Sequence, residues 1–293
     1  MSSIRLEIIV MTVKIVTDST SDLTPKIASE LGITIVPLNI HFSTEIGTET
    51  YRDGIDLTAE DFYRRLKQSK TLPTTSAPAP GTFAEVYDKL ARETDEILTI
   101  TISSKLSATY KAALAGKELG KSKARLEVID SLSAMVGLGL IVVAAAKVAK
   151  AGASLDEVIN VVRSSMSRVD FRLAFDTLEY LRKGGRIGTA QAFLGSALKV
   201  NPILTIRDGL TEGVTRVRSR AKAIDYLADF VMRFPHVEEM AIEHATTPDE
   251  AEILAERLYP KFPRERIYRM KVGPVIGTHV GPHVLGVGVL PGE

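Results

Sequence analysis

The chain has 293 residues, 45% of them hydrophobic and 25% charged, with 37 Lys plus Arg against 36 Asp plus Glu. That length exceeds one minimal core and predicts two domains. The net charge of +1 excludes a global field that draws the chain to nucleic acid or an anionic membrane, leaving only local basic patches. The absence of cysteine excludes disulfides, thiolate zinc sites and Cys nucleophiles, and it fits a cytoplasmic protein.

At the N-terminus, "MSSIRLEIIVM" is a poor signal peptide, because Arg5 and Glu7 interrupt its apolar stretch and no small-residue cleavage site follows. Met11 is a candidate start. Short apolar β-type runs then alternate with helical patterns, the signature of α/β layers. Strands are predicted at 13–17, 33–42, 96–101 and 124–130, and helices at 24–31, 58–68, 81–92 and 107–119. Within 17–23, "TDSTSDL" reads as a strand-to-helix loop, with Asp22 or Thr24 as cap and Pro25 in the first turn. "LPTTSAPAPGTF" (72–83) reads as a stiff Pro-rich loop that holds Thr74, Thr75 and Ser76. The apolar run "AMVGLGLIVVAAA" (134–146) falls short of the roughly 20 residues that span a bilayer. It predicts a buried helix at about 137–150, followed by another at 154–167.

Beyond residue 168 the pattern changes. Strands are predicted at 171–175, 201–206, 210–218, 240–244, 266–273 and 283–290, with helices at 219–232 and 248–258. Asp208-Gly209 stands at a hairpin position, so part of this sheet should be antiparallel. The expected fold is therefore α/β with two units. An N-terminal three-layer domain (12–168) has a mostly parallel sheet, and a C-terminal domain (169–293) has a mixed or antiparallel one.

"TISSKLSATY" (101–110) places its hydroxyls where a strand ends and a helix begins, beside orphan amides and the positive end of the helix dipole. They suit an anion cradle, a helix cap by Ser104 or Ser107, or a nucleophile. A Ser107/His279 hydrolase is one alternative, but it needs an orienting acid and a nucleophile elbow, and no elbow motif occurs. A binding module for another small apolar anion is the other. "AGKELGKS" (115–122) matches a relaxed phosphate loop only at a helix C-terminus, where carbonyls point outward. His279 lies in the glycine-rich connection "VGPVIGTHVGP". No two histidines share a metal-ligand spacing, so no metal and no cofactor are expected.

Taken in order, "VTDSTSDL", "TTSAPAPGTF", "ISSKLSATY", "YLRKGGRIG", "NPIL" with Asp208-Gly209, and "VGPVIGTHVGPHVLGVGV" resemble the DegV family, the fatty-acid-binding subunits of bacterial fatty acid kinase. The resemblance covers nearly the whole chain from Met11. It implies a two-domain, non-enzymatic carrier that holds one long-chain fatty acid. The carrier presents the carboxylate to a separate ATP-dependent kinase subunit, which makes acyl phosphate for phospholipid metabolism. Carried over residue by residue, it implies that Thr75 and Ser107 hydrogen-bond the carboxylate, with the Ala108 amide and His279 beside them. Arg186 would face the partner or its phosphate, and Arg218 a partner or a transient membrane-surface contact. Ala108 stands where the family usually has glycine, and its Cβ narrows the approach to the head group.

Overall fold

The structure is a computed structural model that describes residues 13–194 and 200–292. Met11 and the outer ends of the two expected units, 12 and 293, lie outside the described residues.

In the N-terminal half the elements are β1 (Lys14–Asp18), α1 (Pro25–Leu31), β2 (Ile33–Val36), β3 (Asn39–Thr44), β4 (Gly47–Arg52), α2 (Ala59–Gln68), β5 (Thr74–Ser76), α3 (Pro80–Leu90), β6 (Glu96–Thr101), α4 (Thr109–Leu119), β7 (Arg125–Asp130), α5 (Met135–Lys150) and α6 (Leu155–Arg168). The order β2-β1-β6-β7 forms a parallel sheet. Its central strands, KIVTD and EILTIT, are buried along almost their whole length, as continuous apolar runs in parallel sheets are. Thr24, not Asp22, caps α1: its hydroxyl accepts from the Ile27 amide, and Pro25 occupies the first turn.

The C-terminal half contains β8 (Asp170–Ala174), α7 (Glu179–Lys183), β9 (Asn201–Arg207), β10 (Leu210–Val217), α8 (Arg220–Met232), β11 (Val237–His244), α9 (Pro248–Leu258), β12 (Ile267–Lys271), α10 (Pro274–Val280) and β13 (Leu285–Pro291). Its six strands run in the order β10-β9-β8-β13-β11-β12. All neighbours are antiparallel except β11 and β12, so the sheet is mixed, as expected. The β9–β10 hairpin turns at Asp208 (φ 50) and Gly209 (φ 81), the left-handed pair that a tight hairpin demands.

Three local expectations differ from the structure. The run 33–42 is not one strand. Pro37 and Leu38 break it, so β2 joins the parallel sheet while β3 begins a separate three-stranded sheet, β4-β3-β5. The Thr-Thr-Ser segment is not a free loop but β5, which pairs antiparallel with β3 and sets Thr75 opposite Ile40. The connection around His279 is helix α10, opened by Pro274 at its first position and closed at Gly281, whose amide donates to the Gly277 carbonyl.

Every residue of α5 from Met135 to Ala146 is buried. A helix apolar all round must be enclosed, and α5 lies between the sheets, against β1 on one side and β11 and β13 on the other. One hydrophobic cluster accordingly runs from Ile15 and Leu98 through Leu138 and Ile141 to Phe171, Met270 and Val284. Among the described residues no helix is long and apolar enough to cross a membrane.

Candidate ligand-binding site

Both halves contribute to the walls of a cavity of about 320 Å³, at the lower end of the range of small-molecule sites, roughly 300–1,000 Å³. Thr75 comes from β5, Ser107 and Ala108 from the approach to α4, Met135 from the start of α5, Arg186 from the segment after α7, and His279 from the last turn of α10. Leucine, isoleucine, valine and phenylalanine side chains supply most of the remaining wall. Five of the six residues expected at the site thus meet on one cavity. Arg218 does not: it lines a separate depression beside α8, with Asp225, Tyr226 and Arg257.

His279 Nε2 and Thr75 Oγ1 are 2.8 Å apart, while His279 Nδ1 is buried without a partner. A Cβ on Gly184 would overlap Nδ1, so the first glycine of "KGGR" is what lets the imidazole lie there. Burial, and then the nearby Arg186 guanidinium, lower the imidazole pKa to about 4, so the ring is neutral near pH 7. Leaving an N–H unmet costs more than leaving a lone pair unmet, which assigns the proton to Nε2. His279 then donates to Thr75 Oγ1 and frees the threonine hydroxyl proton for an acceptor in the cavity.

Ser107 lies where two of the roles its sequence context left open, cap and cradle, come together. Its Oγ accepts from the Thr109 amide at 3.3 Å and shares a 2.8 Å hydrogen bond with Thr109 Oγ1, while the residue also lines the cavity. It makes no bond with His279, whose own bond goes to Thr75. Ala108 has φ −76 and ψ 2, which alanine adopts without strain, so the backbone here does not require glycine. Arg186, exposed at the rim, joins the halves. Its Nε donates to the Leu106 carbonyl at 3.1 Å and its Nη1 to that of Gly184 at 2.6 Å.

Sequence reasoning passed over Thr20, Thr205 and Thr211, which also line the cavity. Thr20 belongs to "TDSTSDL" and is tied down by Asp18, which accepts from its amide and hydroxyl and from the Ile102 amide. The hydroxyl density of that run was the available signal.

The family model described as "Uncharacterised protein, DegV family" matches residues 12–292. The chain belongs to the DegV family. A DegV domain-containing protein of Caldanaerobacter subterraneus is 35% identical over 279 residues, 94% of this chain and 97% of that relative. A DegV family protein of Thermus thermophilus, whose structure is described as showing fatty acid binding, superposes with a TM-score of 0.86 at 31% identity, covering 96% of this chain and 99% of that one. DegV of Bacillus subtilis, described as a fatty acid binding protein, gives 0.83 at 30% identity with the same coverage. The chain thus shares the DegV fold over nearly its whole length.

Proposed function

We propose that this DegV chain is a carrier for one long-chain fatty acid, which it presents to a separate ATP-dependent kinase subunit for acyl-phosphate formation. The observation that carries the reading is the His279–Thr75 pair, a neutral imidazole that aims a threonine hydroxyl proton into a mostly apolar cavity. The similarity to fatty-acid-binding proteins of Thermus thermophilus and Bacillus subtilis supports it. Burying an acyl chain contributes about 0.8 kcal/mol per methylene, on the order of 10 kcal/mol for a long one. The polar groups then need only satisfy and orient the carboxylate, which Thr75, Ser107, the Ala108 amide and His279 do without a buried cation.

In this reading the unit 12–168 supplies Thr75 and Ser107, and the unit 169–293 supplies Arg186 and His279. Arg186, exposed beside the head group, faces the kinase or its phosphate. Arg218, remote from the cavity, serves a partner or a transient membrane-surface contact. The protein works in the bacterial cytoplasm with no cofactor, no catalysis of its own and no nucleic acid. Native mass spectrometry of the protein as isolated, and after incubation with oleate or palmitate, tests the reading. A single bound fatty acid is expected, and only ligand-free protein in both samples would overturn it.

A further inference from the structure

The two helices that carry His279 and Met135 have no side-chain N-cap of their own. Each begins instead on a carboxylate from a distant element. At the start of α10 the Gly273 amide donates to Asp22 Oδ1 at 2.8 Å, and the Ser19 hydroxyl and the Val275 amide face Asp53. At the start of α5 the Val136 amide donates to Glu243 Oε2 at 3.1 Å. Asp22 follows the turn after β1, Asp53 follows β4 and Glu243 lies on β11, so the caps cross between the halves of the chain.

These carboxyls form one buried cluster, each at most 5% exposed. Asp22 Oδ2, Asp53 Oδ2 and Glu243 Oε1 receive no donor from any amide or other side chain. Asp22 lies beside Glu243, and burial first and then the Glu243 charge raise its pKa well above the usual carboxylate range, which favours a proton on Asp22. Among the described residues no group of His, Cys, Asp and Glu is arranged to hold a metal. Asp18 adds a further acid from β1. From α2, Tyr63 donates to the Val272 carbonyl at 3.3 Å. Beyond it lie His244, Lys271 and Glu60, with Lys271 paired to Glu60. At the other end of α10 stand His279 and Arg186.

We propose that Asp22, Asp53 and Glu243 are positioning residues for the head-group site. By capping α10 and α5 in trans they set where His279 and Met135 stand, and the protons they share decide how firmly the two halves hold that geometry. The proposal rests on the cavity's holding a fatty acid carboxylate. Burial above all pushes Asp53 up to about 7 and Glu243 to about 6, and raises Asp22 as well. The cluster therefore loses protons across neutral pH. Each added charge repels its buried neighbours, so α10 loosens as pH rises.

Asparagine keeps the amide-accepting oxygen but cannot ionise, whereas alanine removes the cap. With cis-parinaric acid as probe, wild-type affinity should fall about fivefold more between pH 6 and 8.5 than that of Asp53→Asn, beyond the change in the ligand's own ionisation. Asp53→Ala, checked for folding by circular dichroism, should bind weakly at both pH values. In the ligand-free protein the ¹⁵N shifts of the His279 ring should show an inflection between pH 6 and 8 that Asp53→Asn and Asp22→Asn abolish. Unchanged pH slopes in the Asn variants, or a ring inflection that survives them, would overturn the proposal. Failure of every form to bind the probe would refute the carrier function instead, while the ring titration still decides the coupling.

Discussion

His279 Nε2 and Thr75 Oγ1 meet at 2.8 Å although 204 residues separate them in the chain. This contact joins α10 of one half to β5 of the other on the cavity wall. Thr75→Val keeps the shape and removes the hydroxyl, and His279→Ala removes the donor that fixes it. Each should weaken binding of a fluorescent fatty acid by about 10-fold or more, the loss of one hydrogen bond to a charged group. Because the two act through one proton arrangement, the double variant should be less impaired than the product of the singles. Fluorescence titration of all four proteins checks this; fully multiplicative losses would mean that the residues act separately.

Gly184 provides the space in which His279 Nδ1 lies. Gly184→Ala should displace the ring and weaken ligand binding, with an overpacking cost of about 1–3 kcal/mol in stability. The neighbouring Gly185 is a control of opposite kind: its φ of +71 strains any side chain, yet open space surrounds its Cβ position. Gly185→Ala should cost about 1–2 kcal/mol in urea unfolding while leaving the affinity nearly unchanged. Equal affinity in wild type and Gly184→Ala would show that the imidazole tolerates the shift.

The parallel sheet, the buried α5 and the antiparallel C-terminal strands were legible because long apolar runs and a hairpin dipeptide mark them locally. Thr75, Ser107 and His279 stood out by their hydroxyl-rich or glycine-rich settings, Ala108 and Arg186 only through the resemblance to a family, and the structure brings these five together on one cavity. β5 was missed because three residues show no periodicity, and its strand character exists only through pairing with β3. α10 carried the proline-before, glycine-after signature, but Gly273, Gly277 and Gly281 made the segment read as a loop. The Asp22–Asp53–Glu243 cluster left no local trace, since its members come from three elements that only the folded chain unites.

At the start of α4, Ser107 Oγ accepts from the Thr109 amide beside an Ala108 of ordinary backbone conformation. Ser107→Ala should lose a first-turn hydrogen bond worth about 1 kcal/mol of stability and a polar contact to the ligand. Ala108→Gly removes the Cβ beside the cavity, and because φ is already −76 it relieves no strain. Its affinity should stay within about threefold of wild type by isothermal titration calorimetry. A much larger gain would show that the Cβ does obstruct the head group.

Acid should separate the contribution of His279 from that of the carboxyl cluster. The imidazole titrates near 6.5 when unfolded and at about 4 in the fold. Below 6.5 the unfolded state therefore takes up the proton first, and stability is lost as pH falls from 6.5 through 4. The carboxyls run the other way. Their folded values are raised, so the unfolded state releases its protons first, and stability is lost as pH rises from about 4 through 7. Urea unfolding of wild type and His279→Gln at pH 7.5, 5.5 and 4.5 isolates the imidazole, because the cluster is common to both. The Gln variant should gain on wild type by about 1–2 kcal/mol between pH 7.5 and 4.5, allowing for partial solvent screening of the ring. A constant difference across that range would mean that His279 is protonated as readily in the fold as in the unfolded chain. The neutral-ring arrangement with Thr75 would then be wrong.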